Sequence, residues 1–242
     1  MLIIIALIPS IILLLYIYRK DRIEKESIRF LTKCFLWGIA IVLPVAFFET
    51  VMGIVLDETF IEGSIGYAIV DGFIVAALSE EFCKYTALKL RTWKSVEFNS
   101  SFDGIVYAVF VSLGFATFEN ILYVIDGDLS TALFRMFTAV PGHAYDAVFM
   151  GFFYSCAKKA EIEGNRFKMK INRRLALIIP ILFHGAYDCL LSFDEEVVGE
   201  AVSFLGFYLW IILVIAEFVW SLILVNIASK DDTAFLPNSK PM

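Results

Sequence analysis

The chain consists of long apolar runs that are separated by short polar connections. A helix that crosses a membrane needs about 20 mainly apolar residues. The stretches that meet this requirement are 2–18, 35–56, 65–90, 104–125, 131–157, 175–193 and 200–228. They lack the alternation of apolar and polar residues that marks a transmembrane β-strand. We therefore predict an all-α, polytopic membrane helix bundle of about seven transmembrane helices. It would form a single domain, 1–229, followed by a short tail, 230–242.

Lysine and arginine are distributed unevenly among the connections. The basic connections contain three to seven such residues and are 19–34, 89–103 and 158–174. The intervening connections contain none and are 57–64, 126–130 and 194–200. Because positively charged loops stay in the cytoplasm, we predict that the N-terminus is outside and the C-terminal tail is cytoplasmic. Since the basic residues follow the first span, we expect a retained anchor rather than a cleaved signal peptide. We expect the tail to be disordered.

The composition agrees with an integral, multi-pass membrane protein. Hydrophobic residues make up 60% of the chain and charged residues 19%, and the mean hydropathy is +0.78. A soluble domain is nearer half apolar and about a quarter charged. The four cysteines form no CxxC pair, so we interpret them as packing residues rather than zinc ligands. We expect the lipid bilayer as a partner and no nucleic acid, and the oligomeric state is left open.

Several ionisable residues lie inside the predicted spans, where charge is costly and usually functional. They are Glu80, Glu81, Lys84, Glu119, Arg135, His143, Asp146, His184 and Asp188, and they include both histidines of the chain. At a rise of ~1.5 Å per residue, Glu80, Glu119, His143 and His184 lie about 13–23 Å from the cytoplasmic ends of their spans. We therefore predict that they meet in one layer. By contrast, we interpret Glu49, Asp71 and Glu217 as isolated packing residues.

The spacing within single helices predicts three pairs. Glu80 and Lys84 are four residues apart in the order that favours an ion pair, so Lys84 would neutralise one carboxylate and leave the other free. Asp188 follows His184 by four residues and would orient its ring as a second-shell partner. Asp146 follows His143 by three residues and offers a weaker pairing of the same kind.

These residue types suit hydrolysis. Two histidine nitrogens and a carboxylate oxygen, with one position open for water, form a catalytic zinc set. We predict Glu119, His143 and His184 as the zinc ligands. Glu80 or Glu81 would act as the general base, and Asn120 would stabilise an oxyanion. The set contains no short local motif, and a proton- or metal-coupled transporter would place the same residues at this depth. The residues alone leave that alternative open.

Four segments in order resemble the PrsW family of intramembrane proteases. They are EEFCK (80–84), FATFEN (115–120), RMFTAVPGH (135–143) and HGAYD (184–188). The resemblance covers 65–193, which would be the catalytic core. It implies that Glu80, Glu81, Glu119, His143 and His184 are essential. The wider clan includes CAAX-processing and bacteriocin-processing membrane proteases, which have histidine where this chain has Glu119.

The resemblance also implies a substrate class and a location. PrsW-type proteases cleave membrane-anchored proteins with one span, such as anti-sigma factors, so we expect a substrate of that kind in a prokaryotic cell membrane. A glutamate-activated water without zinc would use the same residues, and that mechanism stays open. A substrate-binding chaperone with an inactive site is a third hypothesis, which the intact motifs disfavour.

Overall fold

The structure is a computed structural model that describes residues 2–126 and 129–235. Its helices are α1 (Leu2–Lys20), α2 (Ile28–Ala40), α3 (Val42–Thr59), α4 (Ile65–Val70), α5 (Leu78–Thr92), α6 (Asp103–Asp126), α7 (Leu129–Phe137), α8 (Ala139–Ile162), α9 (Arg166–Leu191), α10 (Glu195–Val198) and α11 (Glu200–Lys230). A π-helical segment, Asp71–Ala77, joins α4 to α5. The described ranges contain no strand beyond an isolated bridge between Ser100 and Ala234. The all-α prediction is confirmed.

The helix limits extend beyond the predicted spans. Helix α2 begins at Ile28, where the Ser27 hydroxyl accepts a hydrogen bond from the amide of Phe30 at 3.2 Å. Helix α9 begins at Arg166, where the Asn165 side chain accepts one from the amide of Lys168 at 3.0 Å. Hydropathy marks only the part of a helix that suits hydrocarbon, whereas capping side chains in the polar connections set where it starts. The basic connection 158–174 is therefore largely helical.

The fifth predicted span is broken into two helices. Thr138 has φ −122° and ψ −71°, outside the helical region, and separates α7 from α8. The break does not fall at Pro141, which lies in the first turn of α8, where its missing N–H costs nothing. It falls three residues earlier, at Thr138. Arg135 lies in the last turn of α7, just before the break.

The π-helical segment packs closely on α9. A Cβ added to Gly72 would lie 2.8 Å from both the Gly185 carbonyl oxygen and the Cys189 amide nitrogen. The wider π turn shifts the register of the residues that follow it and is often found at functional sites. This contact fixes the start of α5, with Glu80 and Glu81 in its first turn, against the helix that carries His184.

Polar contacts tie the chain together at both ends of the bundle. At one end the Phe235 amide donates to the Asn99 carbonyl at 2.7 Å, and the Ser101 hydroxyl donates to Asp232 at 2.9 Å. At the other end the Asp194 amide donates to the Gly63 carbonyl at 3.2 Å. The expectation of a disordered tail is therefore wrong for residues 231–235, which pack on the connection before α6. Residues 236–242 lie outside the described residues.

Long apolar helices support a membrane bundle. Within the described chain, four helical stretches are long and apolar enough to cross a membrane, namely Ile28–Thr59, Asp103–Ile125, Arg166–Leu191 and Glu200–Lys230. The apolar window of Asp103–Ile125 is 72% buried, against 17% for Ile28–Thr59. Helix α6 thus lies at the centre, and α2 and α3 present apolar side chains outward. The number of seven spans and their orientation stay predictions.

Candidate active site

Helix α5 supplies two adjacent carboxylates that share one ammonium group. The Lys84 Nζ atom lies 2.7 Å from Glu80 Oε2 and 2.8 Å from Glu81 Oε1. All three side chains are buried. We expected Lys84 to neutralise one carboxylate, but it contacts both, since residues three and four positions apart lie on one helix face. The Lys84 ammonium therefore compensates one of the two negative charges, and the other must be compensated from neighbouring helices.

Helix α9 brings His184 onto this pair. Its Nδ1 lies 2.9 Å from Glu81 Oε1, and its Nε2 lies 3.1 Å from Asp188 Oδ2 and 3.9 Å from Glu80 Oε1. The contact with Asp188 is the one that the four-residue spacing predicts. Carboxylates on both ring nitrogens fix the orientation of the imidazole.

Helix α8 places His143 on the other side of the carboxylates. Its Nδ1 lies 3.0 Å from Lys84 Nζ, and its Nε2 lies 3.0 Å from Glu119 Oε2. An ammonium group can only donate, so Nδ1 accepts and the Nε2 hydrogen is directed at Glu119. Since both ring nitrogens have these partners, the expected pairing of His143 with Asp146 does not form. The two imidazole rings are nearly perpendicular, at 81°, with their centroids 5.2 Å apart.

Arg135 links the broken fifth span to α6. Its Nη2 lies 2.9 Å from Glu119 Oε2, and its Nε donates to Asn120 Oδ1 at 3.2 Å. The guanidinium also stacks over the ring of Tyr123 at 3.8 Å. The sequence predicted no partner for Arg135. The observed contact of Asn120 is with Arg135, and its oxyanion role stays a prediction.

Four donor side chains lie close enough together to hold a metal ion. Ligand atoms of Glu80, Glu81, His143 and His184 all lie within 4.8 Å of one another. Imidazole nitrogen and carboxylate oxygen are donors that suit zinc, so the residues fit the predicted cofactor. Glu119, which we predicted as a ligand, is not in this group of four. It contacts the Nε2 atom of His143. Each ring nitrogen already has a protein partner, so metal binding would replace at least one of these contacts.

A cavity of about 510 Å³ opens beside the cluster. Its wall includes Glu80, Glu119, Arg135, His143, His184 and Asp188 together with four further acids, Glu49, Asp71, Asp146 and Glu217. Of the α5 residues in the cluster, only Glu80 lines the cavity in the described structure. Glu81 and Lys84 are buried next to it and do not line the cavity. The sequence missed the convergence of Glu49, Asp71 and Glu217 because spacing along one helix says nothing about contacts between helices. The only feature of the sequence that pointed to these three residues as functional was a carboxylate within an apolar span.

Comparison with known proteins identifies the family. The model of the PrsW family intramembrane metalloproteases matches residues 26–218, which is most of the chain. The chain belongs to the PrsW family. Protease PrsW of Geobacillus kaustophilus is 36% identical over 188 residues, which cover 78% of each chain. No solved structure matches.

More distant relatives cover even more of the chain. Protease PrsW of Bacillus subtilis is 32% identical over 84% of this chain and 88% of its own length. The Clostridioides difficile protein of the same name is 32% identical over 92% of this chain and 87% of its own. The PrsW resemblance of the sequence is thus confirmed, and the chain is a membrane protein of a protease family. The comparisons lend no support to the transporter alternative.

Proposed function

We propose that this PrsW-family chain is an intramembrane endopeptidase that hydrolyses peptide bonds of membrane-anchored proteins. The observation that carries the proposal is the position of Glu80. Its carboxylate reaches the cavity wall and lies 3.9 Å from a ring nitrogen of each histidine. A carboxylate between two imidazoles, beside a cavity of about 510 Å³, suits water activation and proton transfer.

The two adjacent glutamates have different roles in this proposal. Glu80 lines the cavity and acts as the general base, which takes a proton from water and then delivers it to the leaving amine. Glu81 is 1% exposed and bonds both Lys84 and His184. It is a positioning residue, because it holds the ammonium and the imidazole in place without facing the substrate.

Zinc is part of the proposal. His143, His184 and Glu119 would hold the ion, which when bound would act as a Lewis acid on the water and the carbonyl. Asp188 orients His184, and Arg135 holds Glu119 in place. Asn120 accepts a hydrogen bond from Arg135, which lies in the cavity wall. Through Arg135 it would stabilise the negative charge that develops on the carbonyl oxygen.

We further propose that the substrate is a protein with a single membrane span, in a bacterial cell membrane. The cavity wall is formed by side chains from α3, the π-helical segment and α5 to α9, with Glu217 from α11. Water that enters the cavity would solvate the acids and serve as the co-substrate. The relatives named Protease PrsW come from bacteria, which supports this location.

The test is cleavage of a single-span reporter by the full chain in proteoliposomes. Wild type should release two fragments, and His143→Ala or His184→Ala should lower the rate at least about 10³-fold, because each removes a group from the reacting centre. Glu161→Gln, on the surface near the end of α8, is the matched control and should cleave normally. Metal analysis of the same samples should find one zinc per wild-type chain and less in both histidine variants. Normal cleavage by either histidine variant would contradict the proposal.

A further inference from the structure

Two carboxylates in the cavity wall, those of Asp146 and Glu217, form no salt bridge with the Lys, Arg and His side chains that the structure describes. Asp146 on α8 is 4% exposed and Glu217 on α11 is 2% exposed, and both line the cavity. Asp146 Oδ1 and Glu217 Oε1 make no hydrogen bond within the part of the chain that the structure describes. Burial of an acid without a partner is costly, so this arrangement calls for a positively charged or proton-donating ligand.

The nearby basic side chains are engaged elsewhere. Lys84 bonds Glu80, Glu81 and His143, and Arg135 bonds Glu119 and Asn120. Of the wall residues that the structure describes, Arg135 carries the only Lys or Arg charge.

The two acids come from neighbouring helices. Asp146 on α8 and Glu217 on α11 both line the cavity, and α8 packs against α11. Two carboxylates from different helices at one place create a negative potential next to the histidines. One added positive group would reduce the repulsion between the two carboxylates and give hydrogen bonds to Asp146 Oδ1 and Glu217 Oε1.

We propose that Asp146 and Glu217 form a subsite that binds a Lys or Arg side chain of the protein substrate next to the cleaved bond. This inference rests on the proposed protease function. Two carboxylate groups match the several donors of an ammonium or guanidinium group. They also disfavour an apolar side chain, which would leave both acids buried and unpaired.

The helix geometry places the basic residue relative to the cleaved bond. Asp146 follows His143 by three residues, about 4.5 Å along α8 towards its C-terminal end. An extended peptide advances about 3.3 Å per residue. The Lys or Arg is therefore expected one or two residues from the cleaved bond, on the side facing the C-terminal end of α8.

The test scans a reporter substrate in proteoliposomes that contain the full chain. Mass spectrometry first locates the cleaved bond, and Lys, Met or Glu is then placed at each of three positions on either side. At one position wild type should cleave the Lys reporter at least about tenfold faster than the Met reporter, with Glu slowest. Asp146→Asn and Glu217→Gln should bring the Lys-to-Met ratio close to one. Glu217→Lys should shift the preference to Glu.

The control variant is Glu49→Gln, which removes a different carboxylate from the same wall. It should keep the Lys-to-Met ratio, and an equal loss of that ratio would show a general effect of cavity charge and overturn the subsite. Equal cleavage of all three reporters by wild type would overturn it as well, whether or not the variants fold. If wild type cleaves none of the reporters, the protease proposal itself fails, and the subsite fails with it.

Discussion

Buried acids occur in two regions of the molecule, and the two regions differ in whether these acids have charged partners. In the centre, Glu80 and Glu81 bond Lys84, and Glu119 bonds Arg135. At the end of α1, Asp21 and Glu26 are 2% and 4% exposed, and both oxygens of Asp21 lack a hydrogen-bond partner among the described residues. Charged groups hold Glu80, Glu81 and Glu119 in place for chemistry, whereas burial raises the pKa of both end acids.

The largest expected effect comes from removing the shared cation of the centre. Lys84→Met leaves two adjacent buried carboxylates without their ammonium, which should destabilise the fold by ~3–5 kcal/mol. Reporter cleavage in proteoliposomes should fall below detection, because both Glu81 and His143 lose a partner. Thermal unfolding in detergent measures the loss of stability.

The matched control is Lys158→Met. Lys158 forms a more exposed pair with Glu161 at 3.0 Å, also three residues apart, and its loss should cost about 0.5 kcal/mol or less. If the two lysine variants are equally stable and equally active, the contrast between a functional centre and ordinary ion pairs is wrong.

A smaller loss is expected when one orienting acid is changed. Asp188→Asn keeps the shape of the side chain but weakens its contact with His184 Nε2, which should lower activity and zinc affinity about 10- to 100-fold. Reporter cleavage and metal titration measure the two effects. Asp57→Asn is the control, because Asp57 accepts from Tyr67 at 3.0 Å away from the centre. A variant that matches wild type in both measurements would show that Asp188 does not act on His184.

The smallest effect is a pH dependence of stability from the end acids. Burial raises the pKa of Asp21 to about 6 against the opposing charge of Lys25. Burial and the charge of Asp103 raise the pKa of Glu26 to about 9. The folded state therefore keeps these protons above the pH at which the unfolded chain releases them, so stability falls as pH rises from about 4 towards 9.

Unfolding temperatures of the purified protein between pH 5 and pH 9 check this dependence. Wild type should unfold at a lower temperature at pH 9 than at pH 5, and Glu26→Gln should flatten the curve above pH 6. Glu24→Gln, which changes an exposed neighbour, should keep the wild-type slope. A wild-type curve that rises towards pH 9 would contradict the assignment.

The sequence predicted contacts within one helix better than contacts between helices. The pairs Glu80–Lys84 and His184–Asp188 follow from helix geometry alone, and both form. The partner of each nitrogen of His143 depends on how α5, α6 and α8 pack, which no spacing along the chain encodes. The break at Thr138 likewise depends on tertiary packing, and without it the position of Arg135 next to Glu119 could not be predicted.

The composition of the cavity wall was the least predictable part of the site. Glu49, Asp71 and Glu217 each carried the same weak signal, an acid in an apolar run, and looked isolated because they lie on different spans. Their convergence is a property of the bundle. Motif order, by contrast, predicted the family, because four short segments on successive spans carry more information than any single residue.

The most direct test of the account compares Glu80→Gln with Glu81→Gln in the proteoliposome assay. Glu80→Gln should bind the reporter as tightly as wild type and cleave it at least about 10³-fold more slowly, because it removes the base and leaves the fold intact. Glu81→Gln should retain measurable cleavage and unfold at a lower temperature, since it loses its contacts with Lys84 and His184. Cleavage at the wild-type rate by Glu80→Gln would contradict a hydrolytic centre built around this carboxylate.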